Sequence, residues 1–359
     1  MKSILLVPGA LLPEAVATGL QAELAERGAA LRSALRGARR GACWHAPDEA
    51  AGTADRQWLM RLFGGDAAPL PAGPYAWRAL AGADDGADND DDAWIAHCDP
   101  VHFALAQDHI RMLALDAAPL RDDEAVALLA LANEAAAPEG WRFAIRDGAW
   151  FLRSPEVLQI DTVAPDAVFG QPVERRMPMG PDARRWRIVA NEIQMRWHAS
   201  PVNDAREERG APAVNALWLH GGGRWTPLAA STIGAIRGGD AAVRGWAQAA
   251  KPSTQPGKGM PGPGADAGDT VSIHSELQPA FRRQDWAAWL DRLPALGSWL
   301  DGELAEARSR GVREVELVLA GATQVQRYAI AGRLGWWTRW TGGSPQMAEL
   351  FREPAGARR

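Results

Sequence analysis

Hydrophobic positions along the chain form short runs that alternate with stretches of helical spacing. Apolar runs at 4–7, 213–220, 269–274 and 313–321 have the length of buried strands and predict them. Over 14–36, leucines recur near helical spacing and predict an amphipathic helix. Strands that alternate with helices at both ends of a chain predict an α/β core.

The middle of the chain has a different pattern. Residues 92–115 predict two strands around an Asp-Pro turn, and 141–154 predict a hairpin closed by an Asp-Gly pair. Acidic residues in the first turn favour a helix over 121–136, and a proline at the first position favours another over 181–200. These elements are typical of an α+β unit.

The predicted domain organisation follows from this contrast. An α/β core made from 1–94 and 211–359 is interrupted by an inserted α+β domain at 95–210. Within the core, 231–250 is Gly-rich but helix-like, and 283–311 predicts a long helix bent near its proline.

Composition limits the classes of function. The chain has 359 residues, enough for one large or two medium domains. Its net charge is 39 − 44 = −5, without a basic block, which argues against a nucleic-acid groove. Cys43 and Cys98 are far apart and form no CxxC pair, so neither a disulfide framework nor a zinc knuckle is indicated. No segment is long and apolar enough to span a membrane, and a soluble, cytoplasmic protein is expected.

Three segments have unusual composition. The acidic run at 84–92 lacks the spacing of a calcium loop and predicts a solvated loop. The stretch 251–268 predicts a flexible Pro/Gly loop, whose GKG lacks the residues of a phosphate-binding loop. Trp336, Trp337 and Trp340 predict either core packing or a docking surface for an unknown protein partner.

Three histidines are candidate metal ligands. His97, His102 and His109 lie close together in sequence. The odd spacing of the first two puts them on opposite faces of a strand, so no metal site is predicted from them.

The stretch 198–223 holds the candidate ligand pocket. An arginine pair three residues apart on a helical turn can face one way, and a glycine triplet can offer backbone N–H groups to an anion. The alternative is that the asparagines brace the domain junction and the arginines are solvated. The candidate residues are Asn203, Arg206, Arg209, Asn215, His220, Gly221, Gly222 and Gly223.

The same stretch carries a resemblance to known families. The run SPVNDAREERGAPAVNALWLHGGG resembles a segment of the archaeal-type cofactor-independent phosphoglycerate mutases. The runs HCDPVHF, NEIQM and PVNDAREERG are also similar to the RpfE-type regulatory proteins of proteobacteria, the group the chain resembles more closely. The resemblance covers roughly 95–330 and is most specific from 177 to 223. It implies an alkaline-phosphatase-like core with a mostly parallel sheet, two divalent metals, a serine nucleophile and an inserted substrate-holding domain.

The metal ligands that this resemblance implies are not matched. Where the mutases have Asp-Gly after the first strand, this chain has Pro8 and Gly9, and no counterpart of the serine segment is found between 40 and 70. His274 is followed by Pro279 and Arg283 where an aspartate and a histidine are expected. The later Gly-Asp-His is Gly-Ala-Thr at 321–323.

The resemblance without the ligands implies a catalytically degenerate protein with a regulatory or binding role. No catalytic residue, metal or cofactor is expected, and the partner is a phosphorylated or other anionic small molecule. One alternative is an active metal-dependent phosphoglycerate mutase or phosphatase with relocated ligands, which would need Mn or Zn. Another is an interaction module that uses the Trp-rich C-terminus.

Overall fold

The computed structural model describes nine ranges of the chain: 1–47, 52–64, 70–81, 92–106, 109–115, 118–168, 172–250, 268–330 and 346–353. The acidic run at 84–91, the Pro/Gly stretch at 251–267 and Trp336, Trp337 and Trp340 lie outside the described residues.

Six strands form the first sheet. They are β1 Lys2–Val7, β2 Arg39–His45, β8 Ile233–Arg237, β9 Asp269–Ile273, β10 Glu314–Ala320 and β11 Gln324–Ile330. The order across the sheet is β2–β11–β10–β1–β9–β8, and the last four strands are parallel. β11 and β2 run antiparallel at one edge. The sheet is therefore mixed rather than mostly parallel, because residues 321–323 are too few for the crossover that a parallel neighbour requires.

Helices cover both faces of this sheet. One face carries α1 Glu14–Gly19, α2 Gln21–Arg27, α3 Ala29–Ala34, α10 Gln278–Arg282, α11 Trp286–Asp291, α12 Leu293–Ser309 and α13 Met347–Leu350. The other face carries α4 Ala54–Gly64, α5 Gly73–Ala79 and α9 Ala241–Ala249. In β1, Leu5 and Val7 pack into the first of these cores, and Ile4 and Leu6 pack into the second. The strand is apolar throughout because both of its faces are buried.

Two predicted long helices are divided. The segment 14–36 forms the three short helices α1 to α3. The segment 283–311 forms α11 and α12, with Pro294 in the first turn of α12. Proline is favoured at a helix start, so the chain begins a new helix there instead of bending one.

A second sheet consists of five antiparallel strands. They are β3 Trp94–Leu105, β4 Ile110–Leu113, β5 Arg142–Arg146, β6 Ala149–Ser154 and β7 Ala216–Gly223, in the order β4–β3–β6–β5 with β7 paired to β3. The helices α6 Asp122–Ala136, α7 Ala183–His198 and α8 Pro201–Glu208 belong to the same part of the chain. Its core contains Trp150, Trp186 and Trp197. The predicted hairpin turn is confirmed: Asp147 and Gly148 have φ of 48° and 74°, as a type I′ turn requires.

The strand β3 corrects the prediction of two strands around an Asp-Pro turn. It runs without interruption through Pro100. Along one edge of β3, the strand β6 pairs with β3 only as far as His97, and β4 pairs with β3 only from His102 onward. Proline falls in the unpaired interval between these two partners, which is where a strand tolerates a missing N–H.

The helix predicted over 231–250 is also corrected. Its first half is β8 and its second half is α9. Gly238 and Gly239, with φ of 75° and 78°, end the strand, and the Asp240 side chain then accepts from the Val243 N–H to begin the helix.

The strands of the two sheets come from different parts of the chain. The strands of the second sheet lie within 94–223, and those of the first lie on either side. β7, which the prediction assigned to the core with 211–359, pairs with β3 in the second sheet. No helix among the described residues is long and apolar enough to cross a membrane.

Candidate functional site

Two of the predicted pocket residues bond to the backbone. Asn203 donates to the carbonyls of Trp197 and Val214, at 2.8 and 2.9 Å, and accepts from the Val214 N–H at 2.8 Å. Asn215 accepts from the Phe103 N–H at 2.7 Å and donates to the Phe103 carbonyl at 3.0 Å. Asn215 takes the place of a strand partner for Phe103 in β3, and Asn203 ties the end of α7 to the segment before β7, so both side chains brace this part of the chain.

The two predicted arginines converge on a carboxylate. Arg206 is fully buried, and its guanidinium lies 2.9 Å from Glu124 Oε2. It also donates to the carbonyls of Ala118 and Pro212, at 2.7 and 2.9 Å. Arg209 forms an ion pair with the other Glu124 oxygen. The two arginines do face the same way, but they are committed to Glu124, which corrects the expectation that they line an anion pocket.

Glu124 makes this cluster sensitive to acid. Burial raises the pKa of its carboxyl, but hydrogen bonds from Arg209, the Arg121 backbone and Arg206 outweigh burial and lower it to about 2. A folded-state pKa below the unfolded value stabilises the fold above the unfolded pKa, and this contribution is lost as the pH falls toward the folded pKa. We expect about 2–3 kcal/mol of unfolding free energy to be lost between pH 4.5 and 2 from this group.

The measurement is urea unfolding at a series of pH values. Glu124→Gln is the control, because an amide has no proton to gain. Identical pH slopes for the wild type and this variant would contradict the predicted role of Glu124.

The glycine triplet at the end of β7 permits close packing. Gly221 has a φ of 62°, which favours glycine, and a Cβ there would lie 2.8 Å from the Cβ of Ala72. A Cβ on Gly222 would lie 2.1 Å from the ring of Trp94, and one on Gly223 would meet Pro71 at 2.7 Å. The triplet thus lets β7 pass close to Trp94 and the segment before α5.

A cavity of about 440 Å³ lies beside this glycine turn, and we call it the sheet-junction cavity. It is lined by residues from β3 and β7 of the second sheet and from α4, α9 and α10 of the first. The polar side chains that line it are Arg56, His97, Asp99, Thr162, Asp166, His220, Asp240 and Arg282. Of the predicted pocket residues, His220, Gly221 and Gly222 line this cavity.

Three of these side chains form a cluster that the sequence reasoning missed. His97 and Asp99 are two apart on β3 and therefore share a face, and His220 on β7 is the direct strand partner of His97. His220 Nε2 lies 3.0 Å from Asp99 Oδ2, and the His97 and His220 rings are stacked with centroids 5.0 Å apart. His102 instead bonds through Nδ1 to the Ala213 carbonyl at 2.7 Å. The His-x-Asp spacing was visible in the sequence, but its partner strand was not.

The surroundings shift the pKa values of two members of this cluster, His97 and Asp99. Burial, together with the neighbouring His220, lowers the pKa of His97 to about 4, so its imidazole is neutral at pH 7. Burial raises the pKa of Asp99, but the charge and hydrogen bond of His220 outweigh it and the net shift is downward. The cluster therefore presents a neutral imidazole beside an ionised carboxylate.

Two arginine–aspartate pairs complete the lining. Arg56 donates to Asp240 through both terminal nitrogens of its guanidinium, Nη1 to Oδ1 and Nη2 to Oδ2. Arg282 forms an ion pair with Asp166, in which Nη2 donates a hydrogen bond to Oδ2 at 3.0 Å and Nε lies 2.8 Å from Oδ1. The second pair links α10 of the first sheet to the segment 165–167 that follows the second sheet's hairpin.

A second cavity, of about 330 Å³, lies at the carboxyl ends of β1 and β10, and we call it the strand-end cavity. Arg282 and Asp166 line it as well, so this ion pair borders both cavities. Its other lining residues include Gly9, Thr53, Asp55, Arg176, Gly321, Ala322 and Thr323. Several of these are the positions where the sequence resemblance implies metal ligands.

The donor set of the strand-end cavity does not fit a pair of dications. Gly9 and Ala322 offer no side-chain ligand, and Thr323 donates its hydroxyl to Glu353 at 2.9 Å. Burial raises the pKa of Asp55, and the Asp166 carboxylate is held by Arg282. His274 is not among the lining residues and packs against the Trp299 ring at 4.9 Å. Among the described residues, the group of three ligand atoms close enough for one ion is His97, Asp99 and His220.

No protein-family model matches the chain, and no curated protein matches it significantly. Solved structures match it over nearly its whole length. The PH0037 protein from Pyrococcus horikoshii has 12% sequence identity and a TM-score of 0.50, with 99% of each chain covered. A cofactor-independent phosphoglycerate mutase from Thermoplasma acidophilum DSM 1728 has 14% identity and a TM-score of 0.42, with 98% of this chain and 99% of that chain covered. The likeness to the Pyrococcus protein shows a shared fold.

Proposed function

We propose that this chain is a catalytically degenerate, phosphoglycerate-mutase-like binding protein with a regulatory role of the RpfE type. Its ligand is a small phosphorylated or carboxylated anion, held in the strand-end cavity without phosphoryl transfer. The observation that carries the proposal is the presence of Arg176 and Arg282 in this cavity, where the sequence resemblance implies metal ions.

Arg176 and Arg282 oppose the binding of dications at this place; of the two aspartates in the lining, Asp166 is paired with Arg282, and burial raises the pKa of Asp55. Two unit charges of like sign 4 Å apart repel by about 4 kcal/mol at the dielectric of a protein surface, and a dication doubles this. Arg176 has no carboxylate within ion-pair distance in the part of the chain that the structure describes. Its guanidinium is therefore available to bind phosphate or carboxylate bidentately.

The Arg282–Asp166 pair gives the regulatory part of the proposal. An anion that binds Arg282 competes with Asp166, which belongs to the other half of the molecule. Binding would thus weaken a bridge between the two sheets and change their relative position. The ligand's preference between the bridged and unbridged states sets the size of such a response.

We expect Arg176→Met to weaken anion binding by about 10- to 100-fold, because a hydrogen bond to a charged group contributes roughly 1.5–3 kcal/mol. The measurement is a titration with 3-phosphoglycerate and with inorganic phosphate, followed by calorimetry and thermal shift. Arg175→Met is the matched control, since Arg175 is exposed in the same short helix and does not line the cavity.

Two results would overturn the proposal. One is a wild type that binds neither anion, or an Arg176→Met variant that binds them as tightly as the wild type. The other is interconversion of 3- and 2-phosphoglycerate that requires added Mn²⁺ or Zn²⁺ and disappears with chelator, which would favour an active enzyme with relocated ligands.

A further inference from the structure

We propose that His97, Asp99 and His220 form a binding site for one divalent transition-metal ion of the Zn²⁺ class in the sheet-junction cavity. This site is separate from the strand-end cavity and from the metal positions that the sequence resemblance implies. It is made by the second sheet alone, through two neighbouring strands.

The backbone holds the three ligands in position. His97 and Asp99 project from the same face of β3, and His220 lies opposite His97 in the strand pairing. Opposite residues on paired strands have Cβ atoms about 5 Å apart, so the two imidazoles project side by side toward the same cavity. Cys98 lies between the first two residues but points to the other face, where it is buried in the second sheet's core.

The ligand atoms are close to coordinating distance. They all lie within 4.8 Å of one another. Ligand atoms around one tetrahedral zinc ion are about 3.3 Å apart, given Zn–N and Zn–O bonds of about 2.0–2.1 Å. Binding therefore requires the three side chains to rotate toward one another. If His220 binds the ion through Nε2, its proton moves to Nδ1 and its hydrogen bond to Asp99 is replaced by shared coordination.

The ligand types identify the class of ion. Two imidazoles and one carboxylate are typical of zinc sites with three protein ligands and an open position, and also of non-haem iron sites. A calcium or magnesium site would use oxygen ligands instead. The exposed side is directed at a cavity of about 440 Å³, which leaves room for a water or another ligand at the open position.

The charge of the cavity also favours a cation. Its described lining has two arginines, Arg56 and Arg282, and three aspartates, Asp99, Asp166 and Asp240, for a formal charge of 2 − 3 = −1. A bound dication changes this to +1, so the occupied site would then attract an anionic ligand. The His220–Asp99 hydrogen bond accounts for two members of the cluster, and the third, His97, stacks on the His220 ring at 5.0 Å and packs against the Phe151 ring at 4.7 Å.

The test is metal binding by the full chain after treatment with chelator. We expect one Zn²⁺ per chain by calorimetry and elemental analysis, and visible d–d absorption when Co²⁺ is used instead. His97→Asn, Asp99→Asn and His220→Asn should each weaken Zn²⁺ binding on the order of a hundredfold or more, because even outer partners of a ligand cost 10–100-fold. His198→Asn is the matched control, since this histidine is exposed at the end of α7.

Circular dichroism of each metal-free variant distinguishes a loss of metal binding from a loss of folding. Asp99→Asn is the substitution that changes the side-chain volume least. Wild-type protein with no saturable Zn²⁺ site would overturn the proposal. Equal Zn²⁺ affinity in the wild type and the three ligand variants would also overturn it. Arg176→Met should keep the metal site, so failure of the anion proposal leaves this one standing.

Discussion

Arg206→Ala is expected to lower the free energy of unfolding by about 3–5 kcal/mol, the usual cost of breaking a buried ion pair from one side. The substitution leaves the buried Glu124 carboxylate without its innermost partner. It also removes the donors to the carbonyls of Ala118 and Pro212. The measurement is urea unfolding at neutral pH, followed by circular dichroism and tryptophan fluorescence.

Arg209→Ala is the control for this prediction. Its side chain is 32% exposed, so solvent screens its ion pair with Glu124 and we expect a loss of about 1 kcal/mol or less. If Arg206→Ala unfolded like the wild type and lost anion binding instead, Arg206 would be a ligand-binding residue, which is one of the two interpretations that the sequence allows.

Gly245→Ala is expected to destabilise the fold by about 3 kcal/mol or more, at the upper end of the range for overpacking. Gly245 lies in α9, and a Cβ there would be 2.1 Å from the backbone oxygen of Tyr75 in α5. A backbone atom cannot rotate away as a side chain can, so the two helices must separate. α9 begins directly after Asp240, so the change should also disturb the sheet-junction cavity.

Gly302→Ala supplies a control of opposite sign. Gly302 is within α12, and no atom lies within 4 Å of its added Cβ. Alanine in an open helical position should stabilise the protein by about 0.4–1 kcal/mol, because it restricts the unfolded chain. Thermal and urea unfolding of both variants test the pair. A Gly245→Ala protein as stable as the wild type would show that α5 and α9 do not approach so closely.

The candidate site was predictable only where it depends on neighbouring residues. Helical spacing correctly indicates that Arg206 and Arg209 face one way. It does not reveal that Glu124 lies opposite them, because 82 positions separate it from Arg206 in the chain. The sequence therefore identifies two guanidinium groups that face the same way. The tertiary structure decides whether they bind a ligand or a carboxylate of the protein itself.

The histidine cluster shows the same limit. Alternation along a strand places His97 and Asp99 on one face, and this was available from the sequence. The spacing from His97 to His102 indicates opposite faces of the strand, whereas the third member of the cluster is His220, which lies 121 positions after Asp99 on the paired strand β7. Register between distant strands depends on the packing of the whole sheet and cannot be obtained from local spacing.

Sequence by itself determined the elements whose causes are local. These are the buried strand β1, the Asp147-Gly148 turn, the helix α6 with its acidic first turn and the strand β10. Backbone preferences and apolar periodicity act over a few residues, so they can be read without knowledge of the fold. Only the tertiary structure decided the antiparallel edge of the first sheet, the unbroken course of β3 through Pro100 and the partners of the buried charges. These features depend on contacts between distant segments, which exist only once both sheets have formed.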